Sequence, residues 1–154
     1  MSKADKIAEA LRARLMTITR GNGYATDLGK HVYEGKQQLD PESLPAVVMI
    51  EPEDTVGETK GRDGRLPAGV WALNTQPFQF DAVARCDPDN PNRVARLLIA
   101  DIKRAIFSDD LTLGGLVTRI AYTGRIIDAR SFGSDIVAAG VAIEVIFQEN
   151  LANP

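Results

Sequence analysis

The chain contains one histidine and one cysteine, the side chains that most often serve as bases or nucleophiles near neutral pH. His31 stands in a polar, glycine-flanked segment with no G-x-S-x-G elbow nearby, so we expect an exposed side chain without a catalytic role. Cys86 has Arg85 beside it, but Asp87 and Asp89 oppose the positive environment that a reactive thiolate needs. We therefore predict an unreactive thiol. A single cysteine also excludes an internal disulfide and a thiolate-rich zinc site, which favours a reducing compartment.

Two acidic clusters could hold a metal ion or supply paired carboxylates. One consists of Glu51, Glu53 and Asp54, and the other of Asp87, Asp89 and Asn90. The second cluster begins like a calcium-binding loop, but the later glycine and the closing glutamate of an EF-hand are missing. Acidic residues at strand ends and in first helical turns are usually solvated or capping. We therefore predict no metal site and no catalytic pair.

A third candidate is the run Gly61-Arg62-Asp63-Gly64-Arg65, which combines glycine and arginine as phosphate-binding loops do. It lacks the G-x-x-x-x-G-K-[ST] motif, and no helix pattern follows whose N-terminus could receive a phosphate. We predict no nucleotide site and no cofactor. The run lies in the stretch 52–69, which is rich in glycine and charge and longer than most structureless connections. It predicts a protruding contact loop, or alternatively a long hairpin that continues the flanking strands.

Two amphipathic helices would position these residues. The first is predicted from about Lys3 to Met16 or Thr17, with Ser2 and Asp5 as a capping box and the segment 20–23 as its end. The second is predicted over 91–107, with the Asn90 side chain as its cap. Its expected apolar stripe consists of Val94, Leu97, Leu98, Ile102, Ala105 and Ile106.

Five stretches have strand character, and they occur in blocks instead of alternating with helices. They are 30–36, 46–51, 70–85, 116–127 and 136–147. The stretch 46–51 is continuously apolar, as a strand buried on both faces would be, and Pro77 favours a break, bulge or edge position in the third stretch. The last two stretches, joined by a turn at 131–134, predict an antiparallel pair. The whole predicts an α+β fold with a mostly antiparallel or mixed sheet and two main helices packed on it, in a single domain of residues 1–154.

Composition limits the classes of function. The net charge of −3 and the pI near 5.2 argue against a general nucleic-acid binder. No apolar run approaches the ~20 residues that a membrane span requires, and charges interrupt the N-terminal helix, so no secretory signal is predicted. We expect folding in a cytoplasm.

The order of segments resembles the tail terminator (tail completion) proteins of long-tailed bacteriophages. The segments that carry this resemblance are IAEALRARLMTI, TDLGKHVYEGKQQL, PAVVMIEPED, FQFDAVARC, NPNRVARLLIADIKRAIF, LGGLVTRIAYTGRIIDA and SDIVAAGVAIEVIFQEN. They cover nearly the entire chain, although none is a diagnostic motif.

This resemblance implies a virion protein of the tail and neck that is not an enzyme. It implies a homohexameric ring, assembled in the host cytoplasm, that caps the tail tube, stops its polymerisation and joins the tail to the head. The partners would be the tail-tube protein and a head-completion or connector protein, and phage DNA would pass through without specific binding. We hypothesise that Glu51, Glu53, Asp54, Arg62, Asp63 and Arg65 contact a neighbouring subunit or the tube.

Two alternatives remain open at this point. One is another neck or tail component, such as a head–tail connector or the tube subunit itself, which would form stacks where a terminator stops at one ring. The other is a small cytoplasmic enzyme that uses Glu51, Asp54 or His31. The enzyme hypothesis predicts a concave pocket whose ionisable groups have perturbed pKa values.

Overall fold

The computed structural model describes residues 1–57, 70–128 and 134–154, and within them the chain folds as α+β. The helices are α1 (Lys3–Met16) and α2 (Pro91–Phe107). The strands are β1 (Val32–Glu34), β2 (Ala46–Ile50), β3 (Thr55–Val56), β4 (Trp71–Arg85), β5 (Arg119–Asp128) and β6 (Ile136–Asn150). The predicted fold class is therefore confirmed. Arg62, Asp63, Arg65 and most of the predicted turn at 131–134 lie outside the described residues.

The six strands form one mixed sheet in the order β1-β2-β4-β6-β5, with the short β3 also paired to β4. Strands β1 and β2 run parallel, and the other pairs are antiparallel. The long strands β4 and β6 pair along their whole length, from Trp71 opposite Asn150 to Arg85 opposite Ile136. Strand β5 pairs with β6, as predicted. Among the described strands, β1 and β5 are therefore the two outer strands of the sheet.

One face of the sheet carries the core, and both helices cover it. We call this the helix side and the opposite face the helix-free face. Because side chains alternate along a strand, the even positions of β4 and the odd positions of β6 point to the helix side. The buried apolar residues there are Ala72, Phe78, Phe80, Ala82 and Ala84 of β4 and Val137, Ala139, Val141, Ile143, Val145 and Phe147 of β6. Among the described residues, no helix is long and apolar enough to cross a bilayer.

The buried face of α2 is rotated from the predicted stripe. Its buried residues are Ala95, Leu98, Ile99, Asp101, Ile102, Ala105 and Ile106, whereas Leu97 is 40% exposed. Asn90 precedes the helix as predicted, but its side chain makes no capping hydrogen bond, so the predicted cap is wrong. Pro91 occupies the first turn, where its missing N–H leaves no donor unpaired.

The first helix begins as predicted and ends without glycine. Ser2 and Asp5 form the capping box, with the Ser2 Oγ accepting from the Asp5 N–H at 3.1 Å. The helix ends at Met16, and its C-cap Thr17 has right-handed backbone angles. Residues 20–23, predicted to end the helix, instead form a separate 3-10 turn that Gly23 closes with a φ of 83°.

Pro77 lies inside the continuous strand β4, opposite Glu144, so it does not break the strand. On its other side β2 pairs only with residues 79–83 and β3 only with residues 74–75. Pro77 therefore falls in the gap between two partners. Its missing N–H is tolerated because β4 is locally an edge there.

The start of the predicted loop pairs with β4. Thr55 lies opposite Thr75 and Val56 opposite Asn74, and the Gly57 N–H donates to the Leu73 carbonyl at 2.8 Å. Residues 55–57 thus run beside β4. Residues 58–69 lie outside the described part of the chain.

Candidate functional site

The structure places the acidic cluster of Glu51, Glu53 and Asp54 in the connection between β2 and β3. Glu51 directly follows β2, and Asp54 directly precedes β3. Each of the three residues, taken as a whole, is exposed to solvent. They lie between the two strands that pair with β4 on either side of Pro77, in the part of the chain that the structure describes.

Glu51 opens onto a cleft of about 510 Å³ on the helix side, between the first turns of α1 and the ends of β1 and β2. Its polar lining consists of Asp5 from α1, Glu34 from β1, Glu51 and Gln76 from β4. We call this the acidic cleft. Among the described residues, no lysine, arginine or histidine lines it, so a cation from outside would meet the three carboxyl groups and the Gln76 amide.

Gln76 is a buried polar residue of the acidic cleft, at 5% exposure. Its Nε2 donates to Glu51 Oε1 at 3.3 Å, while its Oε1 is buried without a hydrogen-bond partner among the described residues. A buried acceptor without a donor is costly, by about 1–3 kcal/mol, so such groups are rare in folded proteins. An external N–H group would satisfy it.

Two acidic residues of this region, Glu51 and Asp54, have raised pKa values. Burial raises the pKa of Glu51, and the negative charges of Glu34, Asp54 and Asp5 raise it further. Burial and the nearby Glu149 also raise the pKa of Asp54. Glu149 in turn accepts from the buried Asn74 Nδ2 at 2.7 Å. The uncompensated negative charge of this region would attract a positively charged group.

His31 and Cys86 do not join this cleft. The His31 ring is partly buried, and its Nδ1 lies 3.3 Å from the Pro45 carbonyl oxygen. Burial raises the pKa of the Cys86 thiol, with further contributions from Asp135 and Asp87, and its Sγ contacts the Ser134 carbonyl at 3.8 Å. A raised pKa favours the protonated thiol, which is a poor nucleophile.

The second acidic cluster is used for local structure. The Asp87 carboxylate accepts from the Asp89 N–H at 3.0 Å, which fixes the turn before α2. In the described part of the chain, no group of three or more histidine, cysteine, aspartate or glutamate side chains is arranged to hold a metal ion.

The helix-free face carries a broad groove of about 720 Å³. Leu39, Pro41 and Leu44 form one wall, and strand residues including Val48 and Ile126 form the floor. At the centre the Gln79 Nε2 donates to Asp81 Oδ1 at 2.7 Å. Among the described residues of this face, the large apolar side chains of Ile50, Leu73 and Ile126 are exposed.

Two charged residues of α2, Lys103 and Arg104, are engaged within the chain. Arg104 donates to the Gly23 carbonyl at 2.8 Å and covers the Tyr24 ring, and Lys103 lies 4.4 Å from the centre of the Tyr122 ring on β5. Asp101 of the same helix is buried at 5% exposure. These contacts hold α2 in place.

No protein-family model matches the chain, and no curated protein sequence matches it. Among solved structures, the chain is similar to one from the virion of a native gene transfer agent (GTA) particle. The TM-score is 0.59 at 15% sequence identity, and the match covers 92% of this chain and 97% of that chain. At this identity the likeness shows a shared fold.

Proposed function

We propose that the chain is a non-enzymatic structural protein of a phage-like virion and acts as a tail terminator. In this proposal the chain is a single domain, and six copies form a ring, the number that the resemblance implies. The ring caps the tail tube, stops its polymerisation and offers its other face to a head-completion or connector protein. DNA passes through the ring without specific binding, and assembly takes place in the host cytoplasm.

The observation that carries this proposal is the end-to-end fold match with a chain of the GTA virion. It spans nearly all of both chains, so the whole subunit architecture is shared and not one common motif. The order of segments in the sequence independently resembles tail terminators. Exposed apolar residues on the helix-free face also suit a protein that is buried in an assembly.

The contact residues belong to the same proposal. Glu51, Glu53 and Asp54 stand at the gap beside β4, from which the stretch containing Arg62, Asp63 and Arg65 continues the chain. We assign these six residues to contact with a neighbouring subunit or the tail tube. Charged residues that stay solvated in the free subunit can provide specificity when a partner of opposite charge arrives.

One observation favours the enzyme alternative and needs an explicit test. That hypothesis requires a concave pocket with perturbed carboxyl groups, and the acidic cleft with Glu51 meets this description. Against it, His31 does not line the cleft, and no described cysteine, lysine or metal-binding group does so either. A catalytic cleft predicts that changing Glu51 spares assembly, whereas a subunit contact predicts that it does not.

Electron microscopy of the purified protein, together with a tail-joining assay, tests the proposed function. We expect discrete single-layered rings that bind the ends of purified tail tubes and allow heads to attach. Stacks that lengthen with protein concentration would indicate a tube subunit, and rings that bind only heads would indicate a connector. A protein that stays monomeric with and without tubes would refute the proposal.

A further inference from the structure

We propose that the acidic cleft of one copy receives the Arg125 side chain of the next copy, so that the ring closes head to tail through opposite edges of the sheet. This inference rests on the proposed ring. It assigns the interface to a specific pair of surfaces on this chain, and it names a second copy as the occupant of the cleft.

The first step is the chemistry of the acidic cleft. Its carboxylates from Asp5, Glu34 and Glu51 accept hydrogen bonds, and the buried Gln76 Oε1 lacks a donor among the described residues. An arginine brings five N–H donors in a planar fork, so it can serve a carboxylate and a neighbouring carbonyl together. A lysine offers a point charge without that geometry.

The second step is the opposite edge of the sheet. Strand β5 ends the sheet on that side, and it carries two exposed arginines, Arg119 and Arg125. Neither arginine side chain forms an ion pair or hydrogen bond with another described residue. The neighbouring Tyr122 is 44% exposed, and the Lys103 ammonium lies over its ring. An arginine beside an exposed tyrosine is a common composition for a binding hot spot.

The third step is the face on which each group lies. Strand β5 has a bulge between Tyr122 and Gly124, after which Arg125 pairs with Val141. Val141 is buried on the helix side, so Arg125 belongs to the helix side of β5. Arg119 pairs with Ile146 and belongs to the helix-free face.

The acidic cleft and Arg125 therefore lie on the same side of the sheet but at opposite edges. Two different patches that meet in this way form a heterologous interface, and repeating it by rotation closes a ring. The contact removes the uncompensated negative charge around Glu51 and supplies the missing donor to Gln76. The negative charge around Glu51 and the unpaired Gln76 carbonyl are unfavourable in the free subunit, and in the ring both bind Arg125 of the next copy.

Charge reversal with subunit mixing tests the inference. We expect Glu51→Lys and Arg125→Glu each to weaken ring formation roughly tenfold or more, as measured by analytical ultracentrifugation. Each variant keeps one unchanged partner of the pair. In a ring of alternating variants, Arg125 of the Glu51→Lys copy meets Glu51 of the Arg125→Glu copy, and at the next contact the two substituted side chains meet with their charges exchanged. We expect the mixture to form even-numbered rings although neither variant does so alone. Such rescue also shows that both variants are folded.

Matched controls separate this contact from general charge effects. Arg119→Glu makes the same change on the same strand but on the helix-free face, and Glu42→Lys makes the acidic reversal in the 3-10 turn at Pro41–Ser43, away from the cleft. Both should form rings nearly as well as the wild type. If Arg125 only protects the sheet edge from aggregation, Arg125→Glu leaves the ring intact and the inference fails.

The outcomes also separate this inference from the proposed function. A wild-type protein that forms no ring refutes both. Wild-type rings that persist in Glu51→Lys and Arg125→Glu refute the charge contact alone. Loss of rings in both variants without rescue on mixing refutes the head-to-tail pairing, provided that circular dichroism shows both variants folded.

Discussion

Gln76 and Asp101 are both polar residues buried at 5% exposure, and the chain treats them in opposite ways. The Asp101 carboxylate accepts from the Thr26 N–H at 2.8 Å, the Thr26 hydroxyl at 2.7 Å and the Ala25 N–H at 3.2 Å. It is therefore satisfied inside the subunit and joins α2 to the segment before β1. The Gln76 carbonyl has no donor among the described residues, so it can accept a hydrogen bond from a group outside the subunit.

This contrast predicts how Gln76→Met should behave. The substitution removes an unpaired acceptor and one long hydrogen bond to Glu51, so we expect the free energy of unfolding to change by less than about 1 kcal/mol. Ring formation should nevertheless weaken severalfold, because the incoming arginine loses an acceptor. Chemical denaturation of the dissociated subunit and ultracentrifugation measure the two effects separately.

Asn74→Leu is the matched control, since Asn74 lies on the same strand and face but donates to Glu149 at 2.7 Å. Losing a hydrogen bond to a charged group should destabilise the subunit by about 1.5–3 kcal/mol. If Gln76→Met destabilises the subunit as much as Asn74→Leu, the Gln76 carbonyl is paired within the subunit and its assigned role is wrong.

The sequence could supply only part of this site. Glu51, Glu53 and Asp54 were visible as candidates because they are acidic and adjacent. Gln76 was not, because its importance depends on burial, although two polar residues on the otherwise apolar side of β4 were an available signal. The face of Arg125 depends on the bulge in β5, which shifts the alternation that a sequence pattern assumes.

At the scale of elements, Gly29 is a point of close approach between α1 and the turn before β1. Its N–H donates to the Ile18 carbonyl at 2.7 Å, and a β-carbon there would lie 2.8 Å from that same oxygen and still closer to the Met16 carbonyl oxygen. Backbone atoms cannot move aside as a flexible side chain can. We expect Gly29→Ala to destabilise the fold by about 1–3 kcal/mol in thermal or urea unfolding.

Gly21→Ala provides the control in the neighbouring 3-10 turn. A β-carbon at Gly21 would have its nearest neighbour at 3.9 Å, the Thr19 hydroxyl oxygen, so the substitution should change stability by less than about 1 kcal/mol. If Gly29→Ala destabilises the fold no more than Gly21→Ala does, the close contact with the Met16 carbonyl relaxes freely and the prediction is wrong.

Helices and strands were predictable where a single periodicity runs through a long segment. Helix α1, strand β4 and strand β6 appear close to their predicted bounds, since their alternating or helical apolar patterns are strong. The errors concern features that the tertiary structure decides. The Asn90 side chain is not used as a cap. Helix α2 is rotated so that Asp101 is buried against Thr26, and a local sequence pattern could not show this because Thr26 lies far away in the chain.

At the scale of the whole molecule, the sheet order separates two charge patterns by its full width. The carboxylates of the acidic cleft gather near β1 and β2, whereas Arg119 and Arg125 lie on β5. These groups are far apart or interleaved in sequence, so only the order β1-β2-β4-β6-β5 reveals the separation. An ionised Glu51 is unfavourable in the isolated subunit but attracts Arg125 of the next copy, so folding and association should respond to pH in opposite directions.

For the isolated subunit, Glu51 has a raised pKa through burial and through Glu34, Asp54 and Asp5. The folded state therefore binds a proton more tightly than the unfolded state, and stability rises as the pH falls from neutral toward the ordinary value of 4.5. Asp5, Asp27 and Asp110 have lowered pKa values, mainly through hydrogen bonds from Ser2, Arg20 and Thr112. Their contribution is lost only as the pH falls below the ordinary value of 3.8, outside this window.

Ring association should show the reverse dependence, because protonating Glu51 removes the charge that attracts Arg125. Between neutral pH and about 4.5, we expect acidification to stabilise the subunit against urea in the monomeric Arg125→Glu variant while it dissociates wild-type rings in ultracentrifugation. The facing groups Asp5, Glu34 and Asp54 remain in a Glu51→Gln variant, which should form weaker rings at neutral pH with a smaller pH response. Rings that tighten on acidification, or a Glu51→Gln variant with an unchanged pH profile, would contradict an ionised Glu51 at the interface.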